Sequence, residues 1–390
     1  MPRRSKVLER VMAAEESGSD TLDLNRLRLK SLPPETFRLT WLRRLSLIGC
    51  RLESLPPEIG MLTELRDLSL TGNRLTTLPE EMRSLTHLEW LHLDLNELES
   101  LPSWIGEFKE LRFLSVFGNP LRHLPPEIGQ LRELTYLSAG GSTLLDGPPL
   151  EGLPREIRSL SNLEWLIISA SGLVRLPPEI ESLTRLRHLG IGFNSLTELS
   201  LRANCLPNLE ELHLDRNDGQ ELPPGISNFP SMQALHLDNC KMKDLPDEIL
   251  ALTRLRQLSI VGIGLAQLPR NVCKLSGLEA LWANRNKLKT LPAEIADLQN
   301  LERLHLSDNR ITRLPPEIGS LSRLKRLDLA KNRLKSLPPE IVSLKSLTAL
   351  DLSNNRLESL PPGLTDLSDL ADLNLSGNPG WGAGAATDRA

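Results

Sequence analysis

The chain has 390 residues, with 46 basic and 50 acidic side chains, a net charge of −4 and aromatics at only 3%. So slight a charge gives no bulk electrostatic case for nucleic acid or an anionic membrane, and no apolar run reaches the roughly 18 residues that span a bilayer. Four cysteines, Cys50, Cys205, Cys240 and Cys273, stand singly, which fits a reducing compartment rather than a disulfide framework.

The chain opens with MPRRSKVLERVMAAEESGSD, where basic residues are not followed by an apolar core, so no secretory signal peptide is expected. Residues 1–18 are predicted to form an N-terminal cap: a short helix over 5–17 with Val7, Leu8, Val11 and Met12 on one face and Gly18 as its stop. From Ser19 the pattern L-x-x-L-x-L-x-x-N-x-L recurs. Its units begin at Ser19, Leu42, Leu65, Leu88, Leu111, Leu134, Leu163, Leu186, Leu209, Met232, Leu255, Leu278, Leu301, Leu324, Leu347 and Leu370. Neighbouring starts lie 23 residues apart, except that Leu134 and Leu163 are 29 apart. Sixteen units in phase predict a single solenoid over 19–380, with a tail over 381–390, instead of two or three globular domains.

Each unit begins with x-L-x-L-x. In a strand its leucines point inward while the x residues point out, and stacked units form a parallel sheet. The Asn position turns the chain, and its amide is expected to bond the backbone of the turn, satisfying polar groups that stacking would bury. Cys50, Cys240, Ser142 and Ser171 are small polar substitutes there, whereas Ile263 cannot hydrogen-bond, so a local distortion is expected at Ile263. The second half of a unit usually reads L-P-P-E-I-x-x-L, as in 55–62 and 314–321. Proline suits the first turn of a short helix, and the glutamate sits at the positive end of its dipole.

These repeats resemble the 23-residue Ras-group class of intracellular leucine-rich repeat proteins and their bacterial relatives. The resemblance covers 19 to about 380 and implies an α/β repeat solenoid: a right-handed horseshoe of about sixteen repeats, with the parallel sheet on the concave face and short helices or 3-10 turns on the convex one. It implies a cytoplasmic, monomeric, non-enzymatic scaffold that binds a protein on its concave face, with a small GTPase or other signalling protein as the kind of partner. The alternative is an exported bacterial effector that binds a host protein with the same surface.

The outward positions concentrate the aromatics. Trp90, Phe113, Tyr136 and Trp165 occupy the first outward position of consecutive strands, followed by His188, with Phe117 and Phe193 near the rim. Beside them lie small residues, Ser115, Gly118, Ser138, Gly140, Gly141, Gly190 and Gly192. Large anchors beside a small-residue floor suit an apolar protrusion of a partner. The six extra residues, near 145–152, fall in the unit of Tyr136 and predict a loop walling one side of this groove.

A second outward column brings His213 and His236 beside Asp215 and Asp238, with Trp282 further along. Two imidazoles and two carboxylates could hold zinc, and Ser259 beside His236 and Asp238 allows a serine relay to be drawn. On an open sheet nothing evident supplies an oxyanion hole, a pocket or a second coordination shell. A metal-dependent hydrolase is therefore a remote alternative, no cofactor is expected, and this polar patch is assigned to partner binding.

Overall fold

A computed structural model describes residues 6–141, 147–197, 201–202, 205–218, 226–242 and 244–381. The chain divides into two compact units, Met1–Ser195 with Ser200–Asn208, and Leu196–Leu199 with Leu209–Ala390.

The first unit begins with helix α1 (Lys6–Ser17). Val11 and Ala14 are its buried residues, and it packs on the first strand and on the 3-10 turn Pro34–Arg38. Gly18 ends it at φ +64, with the Ser19 amide donating back to the Ala14 carbonyl at 3.1 Å, the closure expected of a left-handed helix end. Eight strands follow: β1 (Thr21–Asp23), β2 (Arg44–Ser46), β3 (Asp67–Ser69), β4 (Trp90–His92), β5 (Phe113–Ser115), β6 (Tyr136–Gly140), β7 (Trp165–Ser169) and β8 (His188–Gly190). All pair in parallel and in chain order, leucine against leucine: Leu22 opposite Leu45, Leu68 opposite Leu91, Leu166 opposite Leu189.

The second unit holds β9 (Glu211–His213), β10 (Ala234–His236), β11 (Gln257–Ser259), β12 (Ala280–Trp282), β13 (Arg303–His305), β14 (Arg326–Asp328), β15 (Ala349–Asp351) and β16 (Asp372–Asn374). These also pair in parallel and in chain order. Between strands the L-P-P-E-I segments form five-residue 3-10 turns such as Pro57–Met61 and Pro316–Ser320, each entered through an extended proline and each burying its isoleucine. The one α-helical exception is α2 (Arg270–Cys273). The predicted α/β repeat solenoid is thus the architecture found.

The core is a stack of leucines, with Leu68, Leu91, Leu304 and Leu327 fully buried. Beside it runs the asparagine column. Asn332 is typical: its Oδ1 accepts from the Ile311 amide at 3.0 Å, while its Nδ2 donates to the carbonyls of Leu306 at 2.9 Å and Leu329 at 3.0 Å. One side chain therefore closes its own turn and ties it to the preceding repeat. Cys50 and Cys240 keep part of this, their thiols reaching the Leu24 and Leu214 carbonyls at 3.1 and 3.2 Å. Burial pushes the Cys240 thiol up to about 11, so it stays a donor at neutral pH.

The residue just before the column is left-handed throughout, from Arg26 at φ 58 to Gly377 at φ 74. At three of the positions without asparagine, Cys50, Ser171 and Ile263, the next residue turns left-handed as well: Arg51 at φ 66, Gly172 at φ 71 and Gly264 at φ 91, whereas Arg28 and Lys241 do not. The distortion expected at Ile263 is therefore the turn at Gly264. Asn286 compensates, since its Oδ1 accepts from both the Gly264 and Leu265 amides at 2.9 and 3.1 Å.

Strands β6 and β7 run five residues where the others run three, and they extend their register through Ala139 opposite Ile168 and Gly140 opposite Ser169. This lengthening accompanies the insertion. Of that loop, residues 145–146 lie outside the described residues. The part at 147–152 is anchored by the Leu150 amide on the Ser171 carbonyl at 2.8 Å and the Glu151 amide on the Arg122 carbonyl at 2.9 Å, with Leu150 buried. Pro149 lies so close over Gly172 that a Cβ there would approach it to 2.5 Å. Ser142 and the tail over 382–390 are likewise outside the described residues. Trp381 is half-buried, and its amide donates to the Asn378 carbonyl at 3.1 Å.

Candidate functional site

Two groups of outward side chains stand out, one in each unit. In the first, parallel register places Trp90, Phe113, Tyr136, Trp165 and His188 in one column. Their rings do not form the uniform ladder expected. Phe113 and Tyr136 stack at 4.2 Å and 9°, and Trp165 and His188 stack at 3.4 Å and 10°. Tyr136 and Trp165 meet at 6.3 Å and 32°. The ring against the near face of Phe113 is His92, at 4.5 Å, and Trp90 has no ring neighbour among the described residues. Sequence spacing places Cα atoms in a column, but the rotamer decides which ring lies over which. Burial pushes the Tyr136 hydroxyl pKa up, despite the Ser138 hydroxyl beside it.

The small-residue floor is buried, and partly from within. A Cβ on Gly141 would come within 2.8 Å of the Phe117 ring, and one on Gly118 within 2.7 Å of the Leu95 side chain. Phe117 and Leu95 thus lie over glycines that the sequence reading had left open for a partner. Trp90 and Trp165 remain 38% and 39% exposed, and Phe193, left-handed at φ 56, is exposed too.

In the second unit, His213 and His236 face each other across β9 and β10, their rings stacked at 4.1 Å and 5°. The aspartates of the H-L-D motifs do not complete a four-ligand set with them. Asp215 Oδ1 accepts from the Asp238 amide at 2.9 Å. Asp238 Oδ1 accepts from the Ser259 hydroxyl at 2.5 Å and the Val261 amide at 2.9 Å. Each carboxylate thereby holds the next repeat in register, as Asp94 does for Ser115 and Phe117. Ser259 gives its proton to Asp238 instead of to His236, so the serine relay drawn from the sequence is not assembled.

Glu211 is the residue the sequence reading missed. Its Oε1 lies 2.8 Å from His213 Nε2 and 3.4 Å from His236 Nε2, while Asp215 Oδ2 lies 3.5 Å from the other nitrogen of His213. Burial alone would lower the pKa of His213, but hydrogen bonds to Asp215 and Glu211, with their charges, raise it to about 9. Burial would likewise raise the Asp215 carboxyl, yet His213 and the Asp238 amide hold it below its ordinary value.

The sign of the linkage follows. With a folded value above the 6.5 of free imidazole, the stability His213 contributes is fully present below about pH 6.5 and is lost as pH rises through 9. An imidazole NMR titration of the protein is expected to show one histidine at about 9, falling towards the ordinary value in Glu211→Gln. A His213 midpoint below 7 in the unsubstituted protein would refute this pairing.

Trp282 stacks on His305 at 5.9 Å and 10°, and the Arg303 guanidinium stands 5.9 Å over its ring. Among the described residues of the aromatic column, Trp90 is thus the one without a ring neighbour.

Comparisons with known proteins agree with this architecture. A leucine-rich repeat region profile matches residues 216–329, and a leucine-rich repeat profile matches 63–121 and 322–379. No curated protein matches the chain. Among solved structures, YopM, a leucine-rich effector protein from Yersinia pestis, is 27% identical over 96% of this chain and 93% of its own, with a TM-score of 0.69. The plant peptide hormone receptor RGFR1, solved in complex with RGF2, is 30% identical over 92% of this chain and 58% of its own, with a TM-score of 0.62. A leucine-rich repeat protein of Leptospira interrogans is 33% identical over 93% of this chain and 98% of its own, with a TM-score of 0.78. Similarity of that extent, on the repeat geometry described above, shows that this chain belongs to the leucine-rich repeat family.

Proposed function

We propose that the protein is a non-enzymatic scaffold that recognises a partner protein on the outward face of its sheet, centred on Trp90, Phe113, Tyr136, Trp165 and His188. The observation that carries this reading is the exposure of two tryptophans beside a stacked aromatic column in a chain otherwise poor in aromatics. Large rigid rings lose little conformational entropy on binding and dominate interface energies. The leucine-rich repeat fold generally serves as a protein-interaction scaffold, and one of the similar structures supports a peptide or protein ligand: the plant peptide hormone receptor is in complex with RGF2. His213, Asp215, His236, Asp238 and Trp282 form a separate group of proposed contact residues in the second unit. Phe117 and Phe193 border it in the first.

A Ras-group scaffold in the cytoplasm, engaging a small GTPase or another signalling protein, is the finer form of this proposal. The similarity to YopM favours a second form, a bacterial effector acting on a host protein. Among the described residues no helix is long and apolar enough to cross a membrane, and all four cysteines are free.

The test compares intact protein with Trp90→Ala and Trp165→Ala. A partner captured by the intact chain and identified by mass spectrometry is titrated against each variant. Central aromatic anchors contribute about 2 kcal/mol or more, so each substitution is expected to weaken binding roughly 30-fold with an unchanged melting curve. Unaltered affinity in both would move the interface away from this column.

A further inference from the structure

The Glu211 cluster has features that a merely polar surface patch does not need. Glu211 and His213 are two residues apart on β9, so both point to the same face. Opposite Glu211 in the parallel register stands Ala234, and opposite His213 stands His236. The small alanine leaves Glu211 room to lean across to the neighbouring strand, where its Oε1 reaches His236 Nε2 at 3.4 Å. That nitrogen is buried and has no hydrogen-bond partner among the described residues. The two imidazole nitrogens and the carboxylate oxygen all lie within 4.8 Å of one another.

The second shell is also built. Asp215 stands against His213 on the side away from Glu211 and is itself held by the Asp238 amide. This is the carboxylate–histidine arrangement that fixes the orientation of a metal-ligating imidazole and raises its basicity. Metal–nitrogen and metal–oxygen bonds of about 2.0–2.2 Å at tetrahedral angles separate neighbouring ligand atoms by roughly 3.4 Å. The Glu211–His236 distance already meets this. The 2.8 Å between Glu211 and His213 would open by about half an ångström, and the two imidazoles, stacked at 4.1 Å and 5°, would tilt so that both nitrogens point to one ion. Two imidazoles and one carboxylate are a borderline-soft set, suited to zinc, nickel or copper and not to calcium, which takes six to eight oxygens.

We propose that Glu211, His213 and His236 form a binding site for a divalent transition-metal ion of the zinc class, held by two imidazole nitrogens and one carboxylate oxygen with the remaining position open to water. The site reuses His213 and His236 of the proposed contact residues but does not depend on a partner: metal binding is read on the protein alone, and the aromatic column that carries the partner reading lies in the first unit.

Cobalt(II) is the probe, added to the full-length protein with its cysteines reduced. The expected result is one equivalent bound, with visible d–d absorption, no thiolate charge-transfer band, and displacement by zinc but not by calcium. His236→Gln is expected to weaken cobalt binding at least 100-fold, and Glu211→Gln likewise if the first variant does not fold. Asp215→Asn, which keeps an acceptor for the Asp238 amide, is expected to weaken it roughly 10- to 100-fold by disorienting His213. His305→Gln, a histidine outside the cluster, leaves it unchanged. A featureless visible spectrum, a thiolate band, or His236→Gln binding cobalt as tightly as the unsubstituted chain would each overturn the site.

Discussion

Replacing Asn332 by alanine is expected to destabilise the protein by about 2–5 kcal/mol, one orphaned amide and two lost hydrogen bonds together. The Ile311 amide loses its partner, and the carbonyls of Leu306 and Leu329 each lose one of two asparagine donors, keeping those of Asn309 and Asn355. The side chain is only 7% exposed, so water does not readily replace it; the unpaired amide costs about 1–3 kcal/mol and each lost hydrogen bond about 0.5–1.5 kcal/mol. Asn332→Cys should recover part of the loss. Cys50 and Cys240 show that a thiol at this position still reaches the carbonyl of the preceding repeat, while it offers only a weak acceptor to the amide. Urea unfolding gives the ranking, and amide exchange at Ile311 localises it. A loss below about 1 kcal/mol for the alanine variant would mean that the column is not the source of inter-repeat stability.

A second large effect is expected at Gly140. Its φ of +106 lies outside the left-handed well that other residues tolerate, and a Cβ there would collide with the Ser171 hydroxyl and the Ser169 carbonyl. Backbone strain costs about 1–3 kcal/mol and overpacking a similar amount, so Gly140→Ala should cost roughly 2–5 kcal/mol. The loss should concentrate in the extended pairing of β6 with β7, read as faster exchange of the Gly141 amide, which donates to the Ser169 carbonyl at 2.8 Å. Gly190→Ala is the control, because its φ is not positive and a Cβ there meets only Ile167, at an ordinary 3.5 Å. Similar exchange in both variants would show that the five-residue strands do not depend on Gly140.

Which features were legible in the sequence follows from what periodicity encodes. A constant spacing assigns leucine to leucine across the sheet and asparagine to asparagine along the turns, because neither assignment depends on a rotamer. The pairing of Leu304 with Leu327 and the reach of Asn332 to Leu306 are of this kind. Side chains on the outward face are not under that constraint. Glu211 was overlooked because its role depends on a lateral swing over Ala234, two positions of no note when each is read alone. Phe117, which its spacing places near the rim, also covers Gly141 in the next repeat. Trp90 was placed in a stack whose near position His92 occupies. The lengthened strands also escaped notice, since Gly140 and Gly141 interrupt a strand pattern, and only the register shows pairing continuing through Gly140.

The asparagine column has a consequence for how such a chain can change length. Each amide side chain reaches back one repeat and no further, so no group in the column recognises its absolute position. Excising residues 287–309, one whole period, would bring Asn332 against the Ala283 carbonyl where it now meets Leu306, and would leave every remaining turn closed. Removing one residue fewer would strand an amide at the joint. The molecule is thus divisible in steps of a single size, and its span can lengthen or shorten by duplication and loss without any new contact having to be invented.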